Sequence, residues 1–174
     1  MYIGGKNYKF TYHNKKKFPL ENYLYINGRI AFKKILDKIK KKNIKIIYCP
    51  NYICESIIKV IEKKHFKIKF YNVYDNLKSD IPNVKNSIIL LINYFGIKTK
   101  FPSEILKDNI IIEDKTLSFV NEKKIKIINK KNYYFFASFR KIFNSFICGI
   151  SNIKNSKDKT LDIKFEKILL KCIA

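Results

Sequence analysis

The sequence predicts an α/β protein in three layers, built on a mainly parallel sheet. Three observations carry that prediction. Segments with a helical apolar period and short apolar segments alternate through the first two thirds of the chain, as crossover units do. Residues 87–94 (SIILLINY) are almost unbroken apolar sequence, the pattern of a strand buried on both faces of a parallel sheet. The 174 residues are 47% hydrophobic, enough for one domain that buries roughly 70% of its unfolded surface.

Taken in order, residues 1–27 are polar and aromatic, with a turn at Gly4-Gly5, and read as an extended lead-in. Phe32, Ile35, Leu36 and Ile39 share one helical face, which predicts a helix over 30–41. Asn27 is its expected N-cap, with Gly28 and Arg29 in the first turn. Residues 44–48 read as a short strand stopped by Cys49-Pro50, and 54–63 as a helix presenting Ile57, Ile58 and Ile61. Residues 67–73 alternate in part and read as a strand. A polar loop over 75–86 leads to the strand at 87–94, which ends at Phe95-Gly96. Pro102 and Glu104 open a short helix over 101–107. A strand over 109–112 ends at Glu113-Asp114, and 125–128, 133–136 and 146–150 read as three more. Leu161, Phe165, Ile168, Leu169 and Cys172 follow the spacing of an amphipathic helix over 160–172. No repeat, linker or second domain interrupts this pattern. Residues 1–174 therefore read as a single domain: lead-in 1–27, core 28–150, C-terminal helix 151–174.

The formal net charge is +23. Such a charge makes nucleic acid or an anionic surface the default partner. The composition points elsewhere. Lys, Ile, Asn, Phe and Tyr dominate while Gly (5), Pro (4) and Trp (0) are scarce, as expected when an AT-rich coding sequence fills solvated positions with Lys. The lysines are spread along the chain, and the clusters at 15–17 and 38–42 decorate solvated faces. Nucleic acid is accordingly set aside as the partner, and a basic nucleic-acid-binding domain stays as an alternative. The four cysteines form no CxxC pair, and His13 and His65 stand alone, so no metal is expected. No secretory leader opens the chain and no apolar run approaches a membrane span, so a reducing cytoplasm is the expected compartment.

The chemistry gathers around residues 133–149 (YYFFASFRKIFNSFICG). A buried apolar strand ends at Ala137-Ser138, and Arg140 and Lys141 follow. The exits of parallel strands are where open α/β sheets bind ligands. Asp114 closes another strand, and the Asn27-Gly28-Arg29 helix start is a competent phosphate site, because free N–H groups and the helix dipole face the anion. A lysine, a carboxylate, a hydroxyl and a helix N-terminus around one crevice suit pyridoxal 5'-phosphate.

Ile3–Gly5 (IGG), NGRIAFKKIL at 27–36, YCPNYICES at 48–56, FYNVYDNL at 70–77, LLINYFG at 90–96, IIIEDKTLSF at 110–119 and FFASFRK at 135–141 form an ordered series. That series resembles the DegT/StrS-like sugar aminotransferases, pyridoxal-phosphate enzymes of fold type I. The resemblance implies the large domain of that fold, with the C-terminal small domain absent. It implies that Lys141 forms the Schiff base with the cofactor and that Asp114 pairs with the pyridine nitrogen. Ser138, with the backbone at Gly28 and Arg29, would hold the phosphate, and Tyr52 or Cys54 would line the ring. It further implies a buried Lys141, an amino donor and a nucleotide-linked or otherwise activated sugar as substrates, a role in surface polysaccharide biosynthesis, and a homodimer or a complementing C-terminal chain. Where the family carries His or Gln after the Asp, this chain has Leu117. A non-catalytic truncated or split homologue is the alternative.

Overall fold

A computed structural model describes residues 23–118, 131–141 and 149–155 of the chain. The Gly4-Gly5 turn, the strand at 125–128, the helix at 160–172 and the first residues of the strand at 146–150 lie outside the described residues.

Helix α1 (Gly28–Lys40) begins where Asn27 dictates. Asn27 Oδ1 accepts the Ile30 N–H at 2.9 Å from an extended backbone, so one orphan donor of the first turn is satisfied. Ala31, Phe32, Ile35, Leu36 and Ile39 lie on the face it buries. Around it run strands β1 (Leu24–Tyr25), β2 (Ile46–Pro50), β3 (Lys67–Tyr71), β4 (Ile88–Ile92), β5 (Ile110–Asp114), β6 (Tyr133–Ser138) and β7 (Gly149–Ser151). Helix α2 (Glu55–Glu62) joins β2 to β3, and the short α3 (Ile105–Asp108) precedes β5.

These strands form one seven-stranded sheet in the order β1-β7-β6-β5-β4-β2-β3. Strands β3, β2, β4, β5 and β6 are parallel, while β7 runs antiparallel to both β6 and β1. Pairing Ile92 with Asp114, and Asp114 with Phe136, brings three strand ends to one edge. Alternation divides β5 between the faces: Ile110 and Ile112 pack under α1 and α2, and Ile111 packs on the opposite face. That second face is covered by residues including Val84, Phe101, Ile105 and Leu106, which completes three layers.

Several boundaries differ from the sequence-based expectation. Strand β2 runs through Cys49 and Pro50 instead of stopping before them. Cys49 is fully buried and behaves as a small apolar residue. Pro50 has no N–H, and the next donor, Asn51 N, bonds Tyr71 O at 2.8 Å. Glu113 and Asp114 are paired strand residues, as are Ala137 and Ser138, because Leu91, Ile92, Ile150 and Gly149 lie opposite them. Strand β1 lies in what read as an extended lead-in; its partner β7 is far away in sequence, so no local pattern marks it.

Candidate active site

The sheet order reverses at β2, which has β3 on one side and β4 on the other. A crevice opens at the carboxyl ends of strands beside such a switch point. The exits of β2, β4, β5 and β6, with the start of α1, enclose a cavity of about 550 Å³. Gly28, Arg29, Tyr52, Cys54, Asp114, Ser138 and Lys141 all line it. Residues far apart in sequence meet there because parallel strands finish on one edge.

Asp114 and Ser138 are half-buried in the cavity wall. Burial lifts the Asp114 carboxyl above the usual carboxylate range; hydrogen bonds from Thr116 and the nearby Lys141 charge oppose that rise, and Glu113 adds to it. Thr116 N–H donates to Asp114 Oδ1 at 2.9 Å. The same residue accepts the Ser138 N–H on Oγ1 at 3.2 Å. One threonine thus ties the ends of β5 and β6 together.

Helix α1 aims its first turn into this corner. The N–H groups of Gly28 and Arg29 have no acceptor within the helix. Gly28 is buried, and a Cβ on it would stand 2.9 Å from Ser138 Cβ and 3.3 Å from Ala137 O. Glycine is what lets the helix start approach the Ser138 side chain so closely.

The outer rim mixes the exposed cations Arg29, Arg140 and Lys141 with apolar side chains. Tyr52, Phe95 and Leu117 are 61%, 70% and 40% exposed and all line the cavity. The Tyr94 hydroxyl donates to the Tyr52 carbonyl, and their rings lie 5.4 Å apart, which fixes the β2 exit against the β4 exit. Phe95 holds a left-handed backbone with φ 50° and ψ 27°, an unusual state for a bulky residue. Cys54, exposed at the start of α2, has its thiol pKa lowered by side-chain and backbone hydrogen bonds from Ser56, with a further contribution from Lys141. Its Sγ lies 3.1 Å from Ser56 Oγ.

One expectation needs correction. Lys141 is exposed in a short turn (Phe139–Lys141) that leaves the strand at the cavity mouth, and it is not buried. Glu113 does not share the cavity with Asp114, because strand alternation turns adjacent residues to opposite faces.

No protein-family model matches the chain, and no curated protein matches it as a relative. Solved structures do match. A candidate sugar aminotransferase from Streptococcus pneumoniae superimposes with a TM-score of 0.57 at 11% identity, over 85% of this chain and 45% of that one. The aminotransferase AspB from Helicobacter pylori gives 0.54 at 13% identity, over 87% and 47%. An aromatic-amino-acid aminotransferase from Burkholderia pseudomallei, covalently bound to pyridoxal phosphate, gives 0.50 at 15% identity, over 86% and 45%. The fold is that of the large domain of fold type I pyridoxal-phosphate enzymes. The chain spans about half the length of these structures. Among its described residues no helix is long and apolar enough to cross a membrane.

On this fold type I scaffold the donor set fits pyridoxal phosphate. An amine at Lys141, a carboxyl at Asp114, a hydroxyl at Ser138 and a helix start at Gly28 border one space large enough for a small cofactor. Sequence reasoning missed Thr116 and Tyr94. Thr116 was accessible in principle, since a polar residue two places after Asp marks a side-chain-capped turn. Tyr94 carries no such signal.

Proposed function

We propose that this chain is the pyridoxal-phosphate-binding part of an aminotransferase of the DegT/StrS-like kind. Its substrates would be an amino donor and a (nucleotide-)sugar, with a role in surface polysaccharide biosynthesis in the cytoplasm. The observation that supports this best is the meeting of Lys141, Asp114 and Ser138 with the N-terminus of α1 in one cavity. When bound, pyridoxal phosphate supplies an electron sink for the amino donor's α-carbon. Lys141 Nζ holds the cofactor and carries the proton taken from that carbon. Asp114 keeps a proton on the pyridine nitrogen through its opposing negative charge. Ser138 Oγ and the N–H groups of Gly28 and Arg29 bind the phosphate. Tyr52 or Cys54 flanks the ring. The sugar substrate is supported by the ordered sequence resemblance and by the fold shared with the Streptococcus pneumoniae protein.

The test is the absorption spectrum with and without added pyridoxal phosphate, on the wild type and on Lys141→Ala. A visible band should appear in the wild type alone, and borohydride should fix the cofactor mass on Lys141. A protein that stays colourless overturns the proposal.

A second reading concerns assembly. Tyr52, Phe95 and Leu117 are exposed apolar side chains at the cavity. They favour a second copy or a complementing C-terminal chain covering the mouth. Light scattering on the chain alone, and after mixing with the product of any adjoining reading frame, tests this. A chain that is monomeric and transaminates unaided refutes it.

A further inference from the structure

Glu113 is 1% exposed, on the face of β5 opposite the Asp114 cavity. A carboxylate removed from water in this way costs several kcal/mol unless it is hydrogen-bonded. Here both oxygens are used. Oε1 accepts Asn93 Nδ2 at 2.7 Å, and Oε2 accepts the Tyr133 hydroxyl. Asn93, itself 2% exposed, carries the connection onward. Its Nδ2 also donates to Ser118 Oγ at 2.9 Å, its Oδ1 accepts the Thr99 N–H at 2.9 Å, and its own N–H reaches Asp114 O at 3.1 Å.

Ser118 closes the turn that starts at Lys115, through Ser118 N to Lys115 O at 3.1 Å. The other end of that turn is held by Lys115 N to Phe136 O at 2.9 Å. Between the two pinned ends stands Thr116, which bonds Asp114 Oδ1 and the Ser138 N–H. The polar network that starts at Glu113, behind the cavity, thus runs through Asn93, which itself lines the cavity, to the turn that carries Thr116.

We infer that Glu113 and Asn93 are positioning residues for the cavity, acting through Ser118 and the 115–118 turn to hold Thr116 between Asp114 and Ser138. The inference rests on the cofactor reading for its consequence, and on the hydrogen-bond geometry alone for its structural content. The Thr116 bonds favour ionised Asp114, so a loosened turn raises the pH at which Asp114 takes up its proton. A misplaced Asp114 and Ser138 also weaken cofactor binding.

The experiment uses the full chain and reads two quantities: the Asp114 titration by carboxyl-selective carbon NMR without cofactor, and the pyridoxal phosphate dissociation constant by absorbance. Glu113→Gln and Glu113→Ala both remove the charge, but only Gln can still accept from Asn93. Asp114 should titrate at higher pH in Glu113→Ala than in Glu113→Gln, and cofactor affinity should fall about tenfold in Glu113→Ala while Glu113→Gln stays within about threefold of wild type. Ser118→Ala removes the Asn93 bond and the long Ser118 Oγ to Lys115 O bond (3.5 Å) but leaves Glu113 in place, so it serves where Glu113→Ala does not fold. It should raise the Asp114 titration and lower affinity several-fold. An Asp114 titration unmoved in Ser118→Ala, or equal in the two Glu113 variants, overturns the inference. A wild type that binds no cofactor sinks the cofactor reading, and the NMR result still decides the role of the turn.

Discussion

Gly149 presses its bare α-carbon against the Asn27 peptide. A Cβ built on Gly149 would lie 2.3 Å from the Asn27 carbonyl carbon and 2.5 Å from its oxygen. Strand β7 can pass this close to the start of α1 only because the residue there has no side chain. The contact also sets how the helix N-terminus meets Ser138, since Gly149 is the β-sheet partner of Ser138.

Gly149→Ala is therefore expected to displace backbone, which cannot rotate away as a side-chain tip could. The cost should be about 3 kcal/mol, seen in a thermal melt as a midpoint lower by roughly 6–12 °C. Inorganic phosphate and pyridoxal phosphate should bind more weakly as well. A melt within about 2 °C of wild type would show that β7 does not make this approach.

Asp114→Asn should separate stability from binding. The native state raises the Asp114 pKa, chiefly through burial, so the folded protein holds this proton more tightly than the unfolded chain. Ionised Asp114 then destabilises the fold. The penalty is absent below about pH 4, the unfolded value, grows as pH rises through the folded pKa, and is constant above it. The cofactor-free Asp114→Asn protein should be more stable than wild type at pH 7, and that advantage should shrink toward pH 4. Its affinity for pyridoxal phosphate should fall. Melts at the two pH values, with an absorbance titration, check both; an unchanged gap between pH 4 and pH 7 contradicts the account.

Cys54 and Cys49 should react differently although they are near in sequence. Burial pushes the Cys49 thiol up to about 12, while Cys54 is exposed with its pKa lowered by Ser56 and Lys141. In a Cys148→Ser, Cys172→Ser background, iodoacetamide at neutral pH should label Cys54 and spare Cys49. Pyridoxal phosphate should slow that labelling, because Cys54 lines the cavity. Peptide mass spectrometry reads the outcome, and equal labelling of the two would remove the support.

Phe32 supports the cavity from behind. It is fully buried, and its ring centroid lies 4.9 Å from that of Phe136, which lines the cavity. Phe32→Ala should cost about 3–5 kcal/mol, measured by denaturant unfolding. A loss below about 1 kcal/mol would mean that α1 does not pack on β6 in this way.

The sequence by itself determined a good deal. Apolar periodicity located α1, α2 and most strands, because burial on one helical face or on both faces of a sheet leaves a local pattern. Asn27 announced the start of α1 for the same reason: a capping side chain acts on a backbone group three residues away. The sequence also marked Gly28, Arg29, Tyr52, Cys54, Asp114, Ser138 and Lys141, which all line one cavity. What it could not supply was the pairing of distant segments. Strand β1 exists only because Gly149 and Ile150 lie beside it, and β6 reaches Ser138 only because Gly149 pairs there. The separation of Glu113 from Asp114, the exposure of Lys141 and the double role of Thr116 were likewise decided by tertiary structure. Each depends on which face a strand turns to its neighbours, and only packing fixes that.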